Sequence, residues 1–516
     1  MSAPGAVAAP AAAATRLPRW WPLAAITLLA ALLRLPTLGL QSFWYDEAFT
    51  PVHVLHPSLS ATLHSMVHTE NSPPLWYLTA WVDSRILGTG AFALRLPSAL
   101  AGIATVPVAW GIGRELAGRR AANLCALLVA VNPLFVWYSQ EARVYGLFIL
   151  MAALAMLCFA RALNSPTGGR MALFAAAGSL AMLTHYFAVF LLIPMVLILL
   201  LRRESRRTAV WATGVLVVVG LALLPLISAQ GGHGTQWIGQ WPLSERIEAI
   251  LQYYLLGTSG EPLGHGVQAL VLLPLLAGAG YGAWLMLDIA PTLRRPRAGG
   301  EGEDEESRRA RRGSGAALAV AAGGVLIPLG LAAAGADYLA PRNLVGAMIP
   351  VTALVAILVV SPPTGRWGTA LAATIALAFL MITVDVNLSP RLQRGNWQGV
   401  ASAIGPAHGS RAITTVELGS APLEYYIPPL HNLRPGSSAV VQEIVETGYA
   451  PLRESAAQPP APGFHLVSRS NVDGLITYRF RSAQPVAVPE AVLRGHVITL
   501  AHPEVLVPPG TPTVAP

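Results

Sequence analysis

Apolar and polar segments alternate along the chain up to residue 386, whereas the remaining residues are polar and aperiodic. Most apolar segments are about 20 residues long, which is the length that an α-helix needs to cross a bilayer. The pattern therefore predicts a polytopic α-helical membrane protein with about eleven transmembrane helices. The predicted spans are residues 20–40, 93–113, 121–138, 145–163, two short crossings within 171–201, 208–227, 267–289, 315–334, 344–360 and 367–386.

Arginines between the apolar segments predict how the spans are oriented. Arg16 and Arg19 precede the first span, and an arginine cluster fills residues 202–207. Because basic loops stay on the cytoplasmic side, we expect a cytoplasmic N-terminus and an extracytoplasmic C-terminal region. The same rule requires two crossings within residues 171–201. Their turn would place His185 and Tyr186 at the outer face.

Two polar regions complete the predicted domain organisation. Within the membrane domain, residues 1–386, the mixed-charge run 291–313 is rich in glycine and predicts a disordered cytoplasmic linker. Residues 387–516 are long enough for a small extracytoplasmic domain. Alternating apolar positions at 463–468 and 475–480 predict strands, and residues 397–404 predict a short helix, so we expect a mixed α/β fold.

Composition agrees with the membrane assignment and excludes several classes of function. The 516 residues are 54% hydrophobic and only 12% charged, and the mean hydropathy is +0.53. An ordinary soluble domain has about a quarter of its residues charged. The net charge of +8 comes from arginines distributed between the spans, which argues against nucleic-acid binding. The chain contains no lysine, so lysine Schiff-base chemistry is excluded.

The first candidate site follows directly on the first span. Residues 41–50 read QSFWYDEAFT, in which Asp46 and Glu47 are adjacent carboxylates among aromatic residues. Carboxylates at a membrane surface favour a functional interpretation. The alternative is that Asp46 caps a short interfacial helix.

A second polar turn, residues 139–145, lies between two predicted spans and reads SQEARVY. Its acid, guanidinium and phenol are Glu141, Arg143 and Tyr145. These groups suit substrate binding, and the alternatives are an ion pair between Glu141 and Arg143 within the turn or ordinary anchoring at the interface. These interpretations stay open at this point.

Two further polar residues lie at the predicted outer ends of spans. The guanidinium of Arg342 offers a planar set of donors suited to phosphate oxygens, and anchoring at the interface is the alternative. A histidine such as His185 in an apolar stretch is costly without a partner, although a lone histidine is more often structural. Four more histidines lie in residues 41–89, at spacings that match no tight metal-binding pattern.

Taken together, the acid pair after the first span, the run QEARVY at 140–145, the run THY at 184–186 and Arg342 after a proline resemble the GT-C class of membrane glycosyltransferases. The families that these motifs resemble are the protein O-mannosyltransferases and the lipid A aminoarabinose transferases. The resemblance implies that residues 41–89 form the first extracytoplasmic loop, with amphipathic helices lying on the membrane.

This sequence departs from the pattern of those families at two positions. Ser72 precedes the prolines where the families often have lysine or histidine, which puts a phosphate contact there in doubt. Asn343 follows Arg342 where an aromatic residue is common.

The resemblance implies an inverting transfer of a sugar, mannose or arabinofuranose, from a polyprenyl phosphate to an extracytoplasmic glycan, lipid or protein. Asp46 would be the base, and Glu47 or Glu141 would orient the acceptor or bind a divalent cation. Arg143, His185 and Arg342 would stabilise the phosphate. The implied substrate-binding residues are Glu141, Tyr145, Tyr186, Glu70 and Asn71. No other cofactor is implied.

Two other classes of function remain open from the sequence. A transporter or flippase would also have many spans, but it should carry its ionisable residues near the midplane and show repeat symmetry, which is not visible here. A non-catalytic lipid-binding or scaffold protein would tolerate replacement of the acids and arginines. The aromatic and amide residues of the loop 228–264 suit either sugar recognition or an interfacial belt.

Overall fold

The computed structural model describes residues 20–231, 236–257, 305–360, 365–407, 409–449, 457–496 and 502–514. A helical body extends to Leu388 and is followed by a mixed α/β domain. The helices of the body are Trp21–Arg34, Tyr45–Phe49, Leu59–Thr69, Leu75–Leu87, Ala91–Ala117, Arg119–Val131, Pro133–Ser139, Tyr145–Asn164, Gly168–Thr184, Ala188–Leu201, Arg206–Gln230, Gln236–Gln240, Leu243–Leu256, Glu305–Ala333, Met348–Val359 and Gly365–Leu388.

Six helical segments among the described residues are long and apolar enough to cross a membrane, or seven if one bent pair is a single span. The chain is therefore a multi-pass membrane protein. The predicted turn within residues 171–201 is present, since Gly168–Thr184 and Ala188–Leu201 are separate helices. The predicted span 267–289 lies outside the described residues, and the total of eleven stays a prediction.

The first apolar helix is shorter than the expected span of residues 20–40. It covers Trp21–Arg34, and turns follow it up to Leu40. Pro36 accounts for the early end, because proline has no backbone N–H to donate to the preceding turn and its ring clashes with that turn.

The expected span 121–138 is a pair of helices, Arg119–Val131 and Pro133–Ser139, bent by 57°. Asn132 makes the break, since its side-chain oxygen accepts hydrogen bonds from the backbone N–H groups of Leu134 and Phe135. The carbonyls of Val129 and Ala130, just before the break, accept hydrogen bonds from the buried guanidinium of Arg34 at 3.1 and 2.8 Å. The bend therefore attaches the first helix to this pair.

The prediction of a disordered linker at 291–313 is wrong for residues 305–313, which belong to the helix Glu305–Ala333. Residues 291–304 lie outside the described part of the chain. The arginines and alanines of 308–312 favour a helix, which the sequence interpretation underestimated. Gly313 then packs against the backbone of Leu116 with no room for a side chain, so this turn is fixed by tertiary packing.

The described residues of the C-terminal domain form seven strands, which are β1 Arg411–Thr415, β2 His431–Asn432, β3 Ser438–Tyr449, β4 His465–Val472, β5 Leu475–Pro489, β6 Glu504–Val507 and β7 Thr513–Val514. They make one sheet with the order β2-β6-β1-β3-β5-β4, in which β7 also pairs with β3. Among these strands only β1 and β3 run parallel. The predicted α/β fold is confirmed, and the helix expected at 397–404 is present as Trp397–Ile404, with further helices at Ser420–Tyr426 and Glu490–His496.

This domain packs directly on the segment that carries the acid pair. The hydroxyl of Ser42 donates to the carbonyl of Gly395 and accepts from the backbone N–H of Trp397. The phenol of Tyr426 accepts a hydrogen bond of 2.8 Å from the backbone N–H of Phe43. Residues 41–50 therefore lie between the helical body and the C-terminal domain.

Candidate active site

The acid pair lies on the short helix Tyr45–Phe49, which continues into the π-helical turn Thr50–Val54. Trp44 begins this helix in an extended conformation and packs against the apolar core around Trp397 of the C-terminal domain. Consecutive side chains on a helix point about 100° apart. Asp46 and Glu47 consequently face different surroundings.

Asp46 lines a cavity of about 700 Å³. The carboxylate oxygen Oδ2 of Asp46 lies 2.8 Å from Nη1 of Arg342, with the two side chains 14% and 29% exposed. Arg342 is held there by the 3₁₀ helix Pro341–Ala347. The predicted site residues that line the cavity are Asp46, Glu70, Asn71, Arg143, Tyr145, His185, Tyr186 and Arg342.

Glu47 faces away from this cavity into the helical body, where it is fully buried. Arg95 donates two hydrogen bonds of 2.7 and 2.6 Å to its carboxylate, and the backbone N–H of Ala142 donates a third of 2.8 Å. Burial alone would raise the pKa of Glu47, but Arg95 and these hydrogen bonds lower it below its usual value. Glu47 is therefore a charged internal anchor for the loop that carries Asp46.

Arg143 reaches the cavity from the turn at residues 139–145 and forms a two-pronged ion pair with Glu70. Its Nη1 and Nη2 atoms lie 2.9 and 3.1 Å from the two carboxylate oxygens. Burial would lower the pKa of Arg143, but Glu70, Tyr77 and Asp46 raise it well above its usual value. The predicted ion pair of Arg143 with Glu141 is replaced by this pair with Glu70.

His185 lies at the turn between Gly168–Thr184 and Ala188–Leu201, stacked on Phe148 at 4.7 Å between ring centroids. Its Nδ1 atom accepts a hydrogen bond from the backbone N–H of Phe187. Burial, with a smaller effect of Arg342, lowers the pKa of His185 to about 3. The low pKa favours the neutral ring, and because Nδ1 accepts a hydrogen bond, the proton of that ring lies on Nε2 and is available for donation.

Tyr186 belongs to a network that joins three parts of the cavity wall. Its hydroxyl donates a hydrogen bond of 2.7 Å to the side-chain oxygen of Gln230. The amide nitrogen of Gln230 donates in turn to the carbonyls of Met66 and Ser72. Gln230 thus ties the end of the helix Arg206–Gln230 to the first loop.

Glu141 lies behind the cavity and does not line it. It is buried beside Arg394, whose Nη2 is 3.3 Å from its carboxylate and whose guanidinium lies 4.1 Å from the ring centroid of Trp137. Burial raises the pKa of Glu141 to about 7, despite the opposing effect of Arg394. Arg394 is also 4.0 Å from Glu47. We call Glu47, Arg95, Glu141 and Arg394 the buried charge layer.

Sequence reasoning missed both arginines of the buried charge layer. A signal for Arg95 was present, because an arginine inside the apolar helix Ala91–Ala117 requires a partner at membrane depth. The partner could not be read from the sequence, since Glu47 is 48 residues away. Arg394 had no comparable signal, because it follows the last predicted span.

The described residues contain no group of three or more histidine, cysteine or acidic side chains arranged to hold a metal ion. The rings of His64 and His68 make an edge-to-face contact at 4.5 Å on one helix, and the described residues offer no third ligand beside them. Two of the three acids that line the cavity, Asp46 and Glu70, are each engaged by an arginine, and the third, Glu417, lies on the C-terminal domain. This arrangement does not fit the divalent cation considered from the sequence.

Comparison with solved structures identifies proteins that have a similar architecture. ArnT from Cupriavidus metallidurans, solved with undecaprenyl phosphate bound, aligns over 90% of this chain and 98% of its own, with a TM-score of 0.52 and 12% identity. Its apo structure aligns with a TM-score of 0.53 and 13% identity, over 89% and 97% of the two chains. The chain therefore has the same overall fold as ArnT. Identities this low show the fold alone.

Sequence comparisons match a smaller part of the chain. The family described as dolichyl-phosphate-mannose-protein mannosyltransferase matches residues 71–229. The Bacillus subtilis protein named "Putative mannosyltransferase YkcB" is 24% identical over 140 residues, which are 25% of this chain and 20% of that protein. The matched segment thus spans about a fifth of that relative.

Proposed function

We propose that this protein is an inverting membrane glycosyltransferase that takes a sugar from a polyprenyl phosphate and transfers it to a hydroxyl outside the cytoplasm. One observation carries the proposal: a single cavity joins a carboxylate, two arginines and an apolar wall. Each of these matches one part of such a reaction, namely the acceptor proton, the lipid phosphate and the lipid chain.

The apolar wall suits the lipid part of the donor. It is formed by side chains of the helices Gly168–Thr184, Ala188–Leu201 and Arg206–Gln230. Leu221 and Leu224 line the cavity and are also more than half exposed at the surface of the helical body. In a membrane, that surface faces hydrocarbon, so a polyprenyl chain can remain in lipid while its head group reaches the polar end.

The polar end suits a phosphate held by guanidinium groups. Arg143 and Arg342 both line the cavity, and each is engaged by a carboxylate, Glu70 or Asp46. The donor phosphate is a diester with one negative charge, and it gains a second as its bond to the anomeric carbon breaks, so its attraction for the guanidinium groups increases during the reaction. We therefore infer that the donor phosphate draws Arg342 away from Asp46, which leaves that carboxylate able to accept a proton.

The proposed reaction is one displacement at the anomeric carbon. The acceptor oxygen bonds to that carbon as the bond to the phosphate oxygen breaks, and the acceptor proton passes to Asp46. The bonding electrons leave with the polyprenyl phosphate, whose charge Arg143 and Arg342 stabilise. Neutral His185 donates a hydrogen bond from Nε2 to the same charge. A single displacement inverts the anomeric configuration.

The two acids outside the cavity have a different proposed role from the one expected from the sequence. Glu47 and Glu141 are buried and hold the loops that carry Asp46 and Arg143. We propose that both are positioning residues. The remaining predicted substrate contacts, Tyr145, Tyr186 and Asn71, line the cavity and keep that proposed role.

Mannose is our first choice for the sugar, followed by arabinofuranose. The match of residues 71–229 to a family described by a mannose donor supports the first. We also propose that the cavity faces the outer side of the membrane. The helix Tyr145–Asn164 supports this, because Tyr145 lies at the cavity and Arg161 lies in its last turn, where basic residues favour the cytoplasmic side.

The test uses the full-length protein in lipid nanodiscs with polyprenyl phosphate carrying radiolabelled mannose or arabinofuranose. Asp46→Asn should lower sugar transfer by about 10²- to 10⁴-fold, because it removes the base, while donor binding is retained. Asp83→Asn is the matched control, since Asp83 does not line the cavity. Full transfer by the Asp46→Asn variant contradicts the proposal, and so does movement of intact donor across liposomes without cleavage.

A further inference from the structure

One part of the cavity wall comes from the C-terminal domain. Glu417 and Leu418 are the described residues after position 387 that line the cavity. They lie in the turn of residues 416–419, between β1 and the helix Ser420–Tyr426. We propose, on the basis of the glycosyltransferase function proposed above, that this turn binds a sugar acceptor. Glu417 accepts hydrogen bonds from acceptor hydroxyls, and Leu418 contacts an apolar face of the acceptor.

The backbone of the turn is held in an uncommon conformation. Leu418 has a φ of 63°, in the left-handed region that non-glycine residues rarely adopt. The N–H of Gly419 donates to the carbonyl of Val416 at 2.9 Å and closes the turn. Gly419 has no space for a side chain, because a Cβ atom would meet Thr415, the Val416 carbonyl and the ring of Trp397. A conformation of this kind persists only where its surroundings enforce it.

The sheet stabilises the left-handed conformation of Leu418 from the other side of the turn. The carboxylate of Glu504, on β6, accepts a hydrogen bond of 3.0 Å from the backbone N–H of Ser420 and another from the backbone of Leu418. The turn is therefore fixed to the rigid part of the domain, while the side chains of Glu417 and Leu418 stay exposed and reach the cavity. The side chain of Leu418 is 40% exposed, so it is accessible to a ligand in the cavity. A fixed backbone that presents two accessible side chains is typical of a binding site.

The chemistry of the turn fits an acceptor better than the donor. Val416, Glu417, Leu418 and Gly419 carry no positive charge, so the turn repels a lipid phosphate instead of binding it. A carboxylate is a strong acceptor for several hydroxyl donors at once. Aromatic side chains of Tyr45 and Tyr338 also line the cavity and offer faces for sugar rings. These features favour a polyhydroxylated acceptor, a glycan or a glycolipid head group, over a peptide.

The experiment separates the acceptor from the donor. Full-length protein in nanodiscs receives mannosyl and arabinofuranosyl polyprenyl phosphates in parallel, and two reactions are followed: hydrolysis, in which water is the acceptor, and transfer to octyl α-mannoside. Glu417→Gln and Leu418→Gly should each raise the KM for octyl α-mannoside by about 10-fold, as expected for one lost contact. The rate of hydrolysis and the KM for the donor should stay within about twofold, since the turn does not contact the donor.

Both variants have suitable controls. Leu418→Gly keeps the fold, because glycine adopts a positive φ without strain. Leu466→Ala and Asp473→Asn alter an exposed leucine and an exposed acid of the same domain that do not line the cavity, and their KM for octyl α-mannoside should be unchanged. Glu417→Asp should recover part of the lost affinity, since it restores the carboxylate.

Each outcome decides between the two proposals. If the wild-type protein transfers sugar and both variants keep its KM, the acceptor role of the turn is wrong and the transferase function stands. Equal losses of hydrolysis and transfer also overturn it, because they indicate general support of the active site. If a serine- or threonine-containing peptide is a better acceptor and is insensitive to Glu417→Gln, the sugar acceptor is wrong. A wild-type protein that neither hydrolyses nor transfers overturns both proposals.

Discussion

Asp46 and Glu47 are neighbours in sequence with nearly identical chemistry, yet each belongs to a different kind of ion pair. Asp46 pairs with Arg342 at the cavity, where both side chains keep some exposure, at 14% and 29%. Glu47 pairs with Arg95 in the buried charge layer, where the values are 0% and 1%. The first pair can exchange partners with a ligand, whereas the second cannot be opened without leaving a charge in an apolar interior.

The difference shows how one short helix serves two purposes. The helix Tyr45–Phe49 presents one acid to the cavity and uses the next to attach itself to the helix Ala91–Ala117. Arg95 also donates to the carbonyls of Leu38, Gln41 and Ser42, so it holds the whole entry to this loop. The position of the proposed base therefore depends on a pair that never meets substrate.

The largest effect should come from breaking the buried pair. Arg95→Met should destabilise the protein by about 3 to 5 kcal/mol, because it leaves Glu47 charged and unpaired in the interior. Thermal unfolding in detergent measures the loss. Arg342→Met is the matched control at the cavity pair, and an equal loss in both variants would show that the two pairs do not differ.

A smaller effect is expected in the pH dependence of the free energy of unfolding, to which the two acids of the buried charge layer contribute with opposite signs. The pKa of Glu141 is raised to about 7, so its stabilising contribution is complete below its unfolded value of 4.5 and is lost as the pH rises through about 7. Glu47 has a lowered pKa, so its contribution is present above 4.5 and is lost only in acid. Glu141→Gln should remove a stability change of about 1 to 3 kcal/mol between pH 4.5 and 7.

The comparison for this prediction is the unfolding temperature of the wild-type protein and of Glu141→Gln at several pH values. The two curves should converge at low pH, where Glu141 is protonated in both the folded and the unfolded chain. A constant difference across that range would contradict the raised pKa.

The smallest effect on stability is expected at the cavity. Arg342→Gln should change the free energy of unfolding by no more than about 1 kcal/mol, because its pair with Asp46 is partly solvated. The same variant should raise the KM for a polyprenyl phosphate donor about 10-fold or more, since one phosphate contact is lost. Donor titrations with the purified variant measure this, and a KM equal to that of the wild type would remove Arg342 from the proposed phosphate site.

The sequence was sufficient for the fold class, because this follows from local patterns. Apolar runs mark the helices, and the residues of the outer turns, such as Asp46, Arg143 and His185, stand out as polar groups at their ends. Helix ends were predicted less well. Pro36 and Asn132 end or bend helices within apolar runs, and hydropathy does not register either effect.

Pairings between distant segments could not be predicted. Glu70 engages Arg143 across 73 residues, and Arg394 engages Glu141 across 253 residues. Nothing local to either partner specifies the other, so each acid had several plausible arginines. The cavity position of Glu417 was invisible for the same reason, since it depends on how the C-terminal domain packs on residues 41–50.

The guanidinium of Arg34 has a consequence for how the protein is assembled in the membrane. In the described part of the chain it is fully buried and pairs with no carboxylate; it bonds Ser139 and the carbonyls of Ala30, Val129 and Ala130. One of these four bonds is to Ala30 in the same helix. The other three are to the bent pair of helices, which is synthesised about a hundred residues later. Until that pair is made, the guanidinium of this 14-residue helix lacks its bonds to Ser139, Val129 and Ala130. Because a cation without partners is costly in lipid, we expect the first helix to reach its final depth only after the bent pair has been inserted.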